Sequence, residues 1–139
     1  MQYNFDTLSY HFRDASLPPR YHRSYDISYQ KEGLIKIQVY VYAELIAQKE
    51  WQMPDSSHFD SLIALSPTLE PATRKVNKRL MGGKTYQLLL KKEDETIYEL
   101  IWDSAATITP ETQAFIQQLK QPFQTDIDTL RATPYDEKS

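Results

Sequence analysis

The sequence GLIKIQVYVY, residues 33–42, decides the fold of this 139-residue chain. Aliphatic side chains occupy every second position of the stretch, and polar or tyrosine side chains occupy most of the positions between them. Because successive side chains of a strand point to opposite faces of a sheet, this period of two predicts a half-buried β-strand. The predicted inner face consists of Ile35, Ile37, Val39 and Val41, and the predicted outer face of Lys36, Gln38, Tyr40 and Tyr42.

Alternating residues on both sides of this stretch predict more strands. We expect strands over residues 3–12, 23–29 and 43–51, which together with the central strand form an antiparallel meander. Gly33 follows the polar residues Gln30 to Glu32, so it is placed for a turn with a positive φ. A second hairpin is predicted over residues 85–102, with its turn at residues 93–95.

Two helical segments complete the predicted fold. Residues 57–66 combine small polar capping residues with an apolar stripe at helical spacing, and residues 109–130 begin with the helix-start signal Thr109-Pro110-Glu111. Pro122 kinks or breaks the second segment. The sequence therefore predicts a single α+β domain over residues 1–130. It consists of an antiparallel sheet of about six strands in hairpins with two helical segments packed on one face, followed by a disordered tail at residues 131–139.

Composition excludes several classes of protein. The chain contains no cysteine, which excludes disulfides, thiolate nucleophiles and Cys-based zinc or iron–sulfur sites. A net charge of −3 argues against a general nucleic-acid coat. The N-terminal residues lack the features of a signal peptide, and no apolar run approaches the length of a membrane span. We expect a cytoplasmic bacterial protein without membrane contact.

Catalytic and metal-binding patterns are weak. Gly83-Lys84-Thr85 resembles the end of a phosphate-binding loop, but the first glycine of that motif is missing and a strand follows it instead of a helix. The histidines have no metal-binding helical spacing, although His11 and His22 can meet Asp14 or Asp26 if the first two strands are neighbours. We therefore predict no catalytic residue, no metal site and no cofactor.

A basic segment stands out within residues 72–84. Its cations are Arg74, Lys75, Lys78, Arg79 and Lys84. Such a cluster can contact nucleic-acid phosphates, but it can also form a solvated loop or dock an acidic protein. The sequence leaves open whether this segment contacts a nucleic acid, docks an acidic protein or is only a solvated loop.

Tyrosine and arginine residues form a second candidate surface. Residues Tyr21, His22 and Arg23 follow the Pro18-Pro19 loop, and Tyr40 and Tyr42 lie on the predicted outer face of the central strand. Tyrosine and arginine dominate the energetics of many protein interfaces. This group therefore predicts a protein-binding surface, unless a helix covers the tyrosines as part of the core.

The stretch FRDASLPPRYHRSY (residues 12–25), with Gly82-Gly83 later in the chain and a closing helix, carries a family resemblance. In this arrangement the chain resembles a loose group of small bacterial α+β proteins. More distantly, it is similar to emfourin-like inhibitors of thermolysin-type metalloproteases. The resemblance implies an α+β scaffold that binds another protein, and it transfers no catalytic residue.

Three hypotheses of function follow. The first is a non-enzymatic protein-binding module, inhibitor or immunity-like, that acts through its Tyr/Arg-rich loops. The alternative is a nucleic-acid-binding accessory protein that uses the basic segment. A third is a metal-assisted hydrolase built on His11, His22 and nearby acids. The partner is expected to be a protein, and an exposed strand edge also permits homo-oligomers.

Overall fold

The computed structural model describes residues 3–14, 23–76 and 83–135. The strands of this part of the chain are β1 (Thr7–Asp14), β2 (Ser24–Gln30), β3 (Leu34–Val41), β4 (Glu44–Gln52), β5 (Thr73–Lys75), β6 (Lys84–Lys92) and β7 (Glu95–Asp103). The α-helices are α1 (Ser57–Leu65), α2 (Pro110–Lys120) and α3 (Gln124–Arg131). The α+β class is therefore confirmed.

The described strands form one seven-stranded sheet in the order β4-β3-β2-β1-β6-β7-β5. All neighbouring pairs are antiparallel except β5 and β7, which are parallel. The strand β1 lies at the centre and joins the two hairpin groups through its pairing with β6. The predicted number of about six strands is wrong because β5 was not foreseen. This strand has three residues and no hydrophobic alternation, so its signal in the sequence is absent.

The inner face of β3 is fully buried, as predicted. The side chains of Ile35, Ile37, Val39 and Val41 are 0% exposed. The neighbouring strands continue the same face with alternating buried residues such as Leu8 on β1 and Ile27 on β2. Gly33 adopts a φ of 104°, which confirms the predicted positive-φ turn.

Two further hairpin turns use residues other than glycine at positive φ. Tyr42 has a φ of 55° between β3 and β4. Glu93 and Asp94 have φ values of 51° and 66° between β6 and β7, where a turn was predicted. Two consecutive positive φ angles match the twist of the flanking strands in a tight hairpin.

The helices begin and end largely where the sequence predicts. Thr109 caps α2, because its Oγ1 accepts a hydrogen bond from the Thr112 backbone N–H at 3.1 Å. Pro122 lies in a 3-10 turn, Gln121–Phe123, which separates α2 from α3 and confirms the predicted break. Arg131 is the last residue of α3.

Aromatic rings connect the helical segments to the sheet. The Tyr29 ring of β2 packs edge-on against Phe59 of α1 and against Phe123 of the 3-10 turn, with centroid distances of 5.0 and 5.5 Å. Trp51 of β4 also contacts Phe123. Within the described residues, no helix combines the length and the apolar character that crossing a membrane requires.

Candidate functional site

A cleft of about 210 Å³ lies between the sheet and the C-terminal ends of α2 and α3. We call it the basic cleft. Its lining consists of Tyr10, Phe12, Tyr25, Lys84, Tyr86, Lys120 and Arg131. Four aromatic rings and three cations therefore meet in one place.

The aromatic wall of the basic cleft results from strand register. Phe12 of β1 lies opposite Tyr25 of β2 and opposite Tyr86 of β6. Because residues in register share one face of the sheet, their rings become neighbours. The Phe12 ring centroid lies 5.5 Å from that of Tyr25 and 5.2 Å from that of Tyr86, and Tyr10 lies 6.1 Å from Tyr25.

Two of the cations come from helix ends. Lys120 lies in the last turn of α2 and Arg131 in the last turn of α3, where the helix dipole favours positive charge. The Lys120 Nζ lies 5.9 Å from the ring centroids of both Tyr10 and Tyr25. The Arg131 guanidinium lies 5.4 Å from those of Phe12 and Tyr25. These distances are within the range of cation–π attraction.

The lining of the basic cleft carries positive charge without an acidic residue in the described part of the chain. Asp14 of β1 lies opposite Lys84 of β6 in the register of the two strands. The Arg131 Nε–H is buried and has no hydrogen-bond acceptor among the described residues. A buried donor without an acceptor is energetically costly.

The hydroxyls of Tyr10 and Tyr86 in the basic cleft are held in their neutral form. Burial, followed by the neighbouring phenols of Tyr25 and Tyr86, raises the pKa of Tyr10 well above its ordinary value. Burial, followed by Tyr25 and Asp14, also raises the pKa of Tyr86. A neutral phenol donates a hydrogen bond. The cleft can therefore offer the Tyr86 hydroxyl together with cations to an anion.

A second cavity adjoins the basic cleft. We call it the aromatic pocket; it also has a volume of about 210 Å³. It shares the walls Tyr10 and Tyr86 with the basic cleft and adds Trp102, Ile108, Gln113, Ile116 and Gln117. The rings of Tyr86 and Trp102 are stacked, with centroids 5.3 Å apart and planes 10° apart.

An ion cluster occupies the opposite face of the sheet. Asp26 Oδ1 lies 2.7 Å from His11 Nδ1 and 2.5 Å from Arg13 Nη1. Burial of Asp26 opposes its ionisation, but the hydrogen bonds from His11 and Arg13 outweigh it, so the pKa of Asp26 lies below its ordinary value. The weaker metal-site hypothesis needs His11, His22 and an acid such as Asp26 to meet. His22 lies outside the described residues, and no group of three potential metal ligands occurs in the described part of the chain.

The predicted protein-binding residues are spread over two places. Arg23 donates to the Thr133 carbonyl oxygen at 3.2 Å, near the end of α3. Tyr40 lies on the outer face, where the Arg13 guanidinium is 5.7 Å from its ring centroid. Tyr42 is 58% exposed in the turn after β3. Tyr21 and His22 lie outside the described residues, so this surface stays a prediction.

The predicted basic patch is divided in a similar way. Arg74 is exposed on β5, whereas Lys75 donates to the Glu70 carboxylate and to the Thr107 carbonyl oxygen. Lys75 therefore already serves an internal contact. Lys84 lines the basic cleft. Lys78 and Arg79 lie outside the described residues.

Sequence reasoning missed most of the basic cleft. Lys120 and Arg131 are isolated cations in the sequence, and only their position at helix ends marks them. Tyr10, Tyr25 and Tyr86 lie in stretches predicted as strands, and nothing in those stretches marks them as part of a site. Their meeting depends on the pairing of β1 with β6, which nothing in the local sequence reveals.

No protein-family model matches the chain, and no curated protein is significantly similar to it in sequence. The resemblance to small bacterial proteins and emfourin-like inhibitors therefore stays a prediction.

Proposed function

We propose that this chain is a non-enzymatic protein-binding module whose basic cleft binds a carboxylate of an acidic partner protein. The inhibitor or immunity-like role belongs to the same proposal, and it depends on the resemblance described above. The observation that carries the proposal is the convergence of Lys84, Lys120 and Arg131 on one cleft whose described lining contains no acid.

The chemistry of the cleft favours a carboxylate. Arginine and lysine form charge-assisted hydrogen bonds to carboxylates, and these are stronger than bonds between neutral groups. Arg131 lines the cleft, and its guanidinium offers N–H donors that match a carboxylate. The Tyr86 hydroxyl adds a neutral donor beside the cations.

A protein partner fits this cleft better than a nucleic acid. Binding of single strands uses ring faces on which bases stack. In the basic cleft, the rings of Phe12 and Tyr25 already have the Arg131 guanidinium 5.4 Å from their centroids. The nucleic-acid alternative still has the exposed Arg74 and Lys84 in its favour, so the experiment includes it.

The position of the helical segments also supports this proposal. The contacts of Phe59 and Phe123 with Tyr29 support the expectation that the helical segments cover one face of the sheet. The basic cleft then lies on that same face, at the margin of the helical layer. This position leaves the cleft accessible to a side chain from a partner.

Fluorescence anisotropy with a labelled hexaglutamate peptide tests the proposal. We expect the peptide to bind, and we expect binding to weaken as salt is added because the charges are partly exposed. The double substitution Lys84→Gln and Lys120→Gln is expected to weaken binding at least about fivefold, since each partly exposed charge pair contributes about 0.5–1 kcal/mol. Hexaglutamine is expected not to bind.

The matched control is the double substitution Lys31→Gln and Lys92→Gln. Lys92 ends β6, the strand that Lys84 begins, and both control lysines line a different cavity. This control removes the same net charge and is expected to keep the affinity. Equal loss in both double variants, or no binding of hexaglutamate, contradicts the proposal. Binding of an oligothymidine but not of hexaglutamate replaces it with the nucleic-acid alternative.

A further inference from the structure

We propose that the acidic segment bound by this protein carries an aromatic side chain next to its carboxylate, and that the aromatic side chain enters the aromatic pocket. This inference rests on the proposed function, because the carboxylate occupies the basic cleft. The recognised chemistry is thus an acidic residue followed by an aromatic residue in one peptide segment.

The continuity of the two cavities carries the inference. Tyr10 and Tyr86 line both the basic cleft and the aromatic pocket. A ligand group that leaves the basic cleft across these two residues therefore meets the aromatic pocket next. The occupant of the pocket is then a neighbouring part of the same ligand.

The walls of the aromatic pocket select a planar apolar group. Trp102 and Tyr86 form a stacked pair of rings, and Tyr10 adds a third ring 6.5 Å from Trp102. Ile108 and Ile116 complete the lining with aliphatic side chains. An aromatic side chain gains from such a site beyond the burial of its area, because rings prefer tilted or offset contact with other rings.

The rim of the pocket supplies hydrogen-bonding groups. Gln113 and Gln117 of α2 are exposed and line the pocket, and no charged side chain lines it among the described residues. A glutamine amide offers both donors and an acceptor. The indole N–H of a tryptophan can therefore find an acceptor there, which makes tryptophan the best probe.

The experiment compares three labelled peptides by fluorescence anisotropy with the complete chain. The first has five glutamates followed by tryptophan, the second has five glutamates followed by alanine, and the third has five glutamines followed by tryptophan. We expect the first to bind at least about fivefold more tightly than the second, which is the scale of one aromatic contact. The third is expected to bind weakest.

Two variants locate the effect. Gln113→Trp introduces a large ring at the lining of the aromatic pocket and is expected to fill it, which removes the advantage of the tryptophan peptide over the alanine peptide. Gln121→Trp places the same side chain at an exposed position outside both cavities and is expected to keep that advantage. Circular dichroism checks that both variants are folded.

The outcomes separate this inference from the proposed function. Equal binding of the tryptophan and alanine peptides, both above the glutamine peptide, overturns the inference and leaves the proposed function standing. A tryptophan advantage that persists in Gln113→Trp places the aromatic contact elsewhere and also overturns the inference. If neither glutamate peptide binds, the proposed function itself fails.

Discussion

Asp26 shows how a single residue organises the outer face of the sheet. Its carboxylate accepts hydrogen bonds from His11 of its neighbouring strand and from Arg13, and its side chain is 16% exposed. Arg13 also lies against the Tyr40 ring. The acid therefore fixes a cation and an aromatic ring on a face that is otherwise largely polar.

The substitution Asp26→Asn tests this role through pH. The pKa of Asp26 lies below its ordinary value of 3.8, so its ionised form stabilises the fold. That stabilisation is complete above about pH 4 and disappears as the pH falls through the lower, folded-state pKa. Near neutral pH the variant is expected to lose about 1–2 kcal/mol of unfolding free energy, as for hydrogen bonds to a charged group.

Urea unfolding at several pH values measures this effect. The difference between wild type and Asp26→Asn is expected to shrink as the solution is acidified below pH 4. Glu50→Gln, at an exposed position of β4, serves as the control and is expected to change little. A difference that stays constant through the acid range contradicts the assignment.

The buried hydrogen bond of the Tyr98 hydroxyl leads to a second prediction. Its hydroxyl donates to the Glu70 carbonyl oxygen at 2.7 Å, and both residues are buried. Tyr98→Phe leaves that carbonyl without this partner and is expected to cost about 1–3 kcal/mol of unfolding free energy. Tyr40→Phe removes a hydroxyl from the half-buried outer face and is expected to stay within about 0.5 kcal/mol. Chemical denaturation of both variants checks the contrast.

Single residues also show the limit of sequence reasoning. The alternation in β3 correctly predicts which side chains are buried, because the period of a strand is a local property. The same rule predicts the strands that carry Tyr10 and Tyr86. It cannot show that they border a cleft, since burial at the margin of a core depends on where the helices end.

At the scale of elements, the start of α2 is the most predictable feature. Thr109 Oγ1 accepts from the Thr112 N–H and donates to the Thr112 Oγ1 at 2.7 Å. Thr109→Ala is expected to lower the unfolding free energy by about 1 kcal/mol, because one N-terminal backbone donor loses its acceptor. Thr109→Ser keeps the oxygen and is expected to keep most of the stability. Equal losses in the two variants would show that the methyl group matters instead of the cap.

Elements that depend on distant contacts were not predictable. The short strand β5 lies beside β7 and far from it in sequence, and Lys75 at its end is held by Glu70 and the Thr107 carbonyl. In sequence, the same lysine appears as part of a basic segment. Its local charge is visible, but its internal partner is not.

At the scale of the whole molecule, β1 couples the two hairpin groups. It pairs with β2 on one side and with β6 on the other. The two tryptophans report on different groups, because Trp51 lies on β4 and Trp102 on β7. Single-tryptophan variants are therefore expected to show the same urea midpoint by fluorescence, as a cooperative unit does.

Adding Leu8→Ala to each single-tryptophan variant sharpens this test. Leu8 is fully buried on β1, and its truncation is expected to cost about 2–5 kcal/mol. Both fluorescence midpoints should move down together. If only one reporter shifts, the two hairpin groups unfold separately and the coupling through β1 is wrong.

The basic cleft is also a property of the whole molecule. Its cations come from β6, α2 and α3, and its rings come from β1, β2 and β6. Only Lys84 was singled out from the sequence. A site assembled from five elements leaves no spacing signature, so chain topology is needed to find it.

The two margins of the sheet differ in a way that limits self-association. In the described part of the chain, one outermost strand is β4, with nine residues and an antiparallel neighbour, and the other is β5, with three residues and a parallel neighbour. Growth into a filament requires that one edge strand pairs with the other edge strand of the next copy, and these two strands do not match in length. Backbone pairing between copies through β4 would instead follow a two-fold axis and stop at a closed dimer.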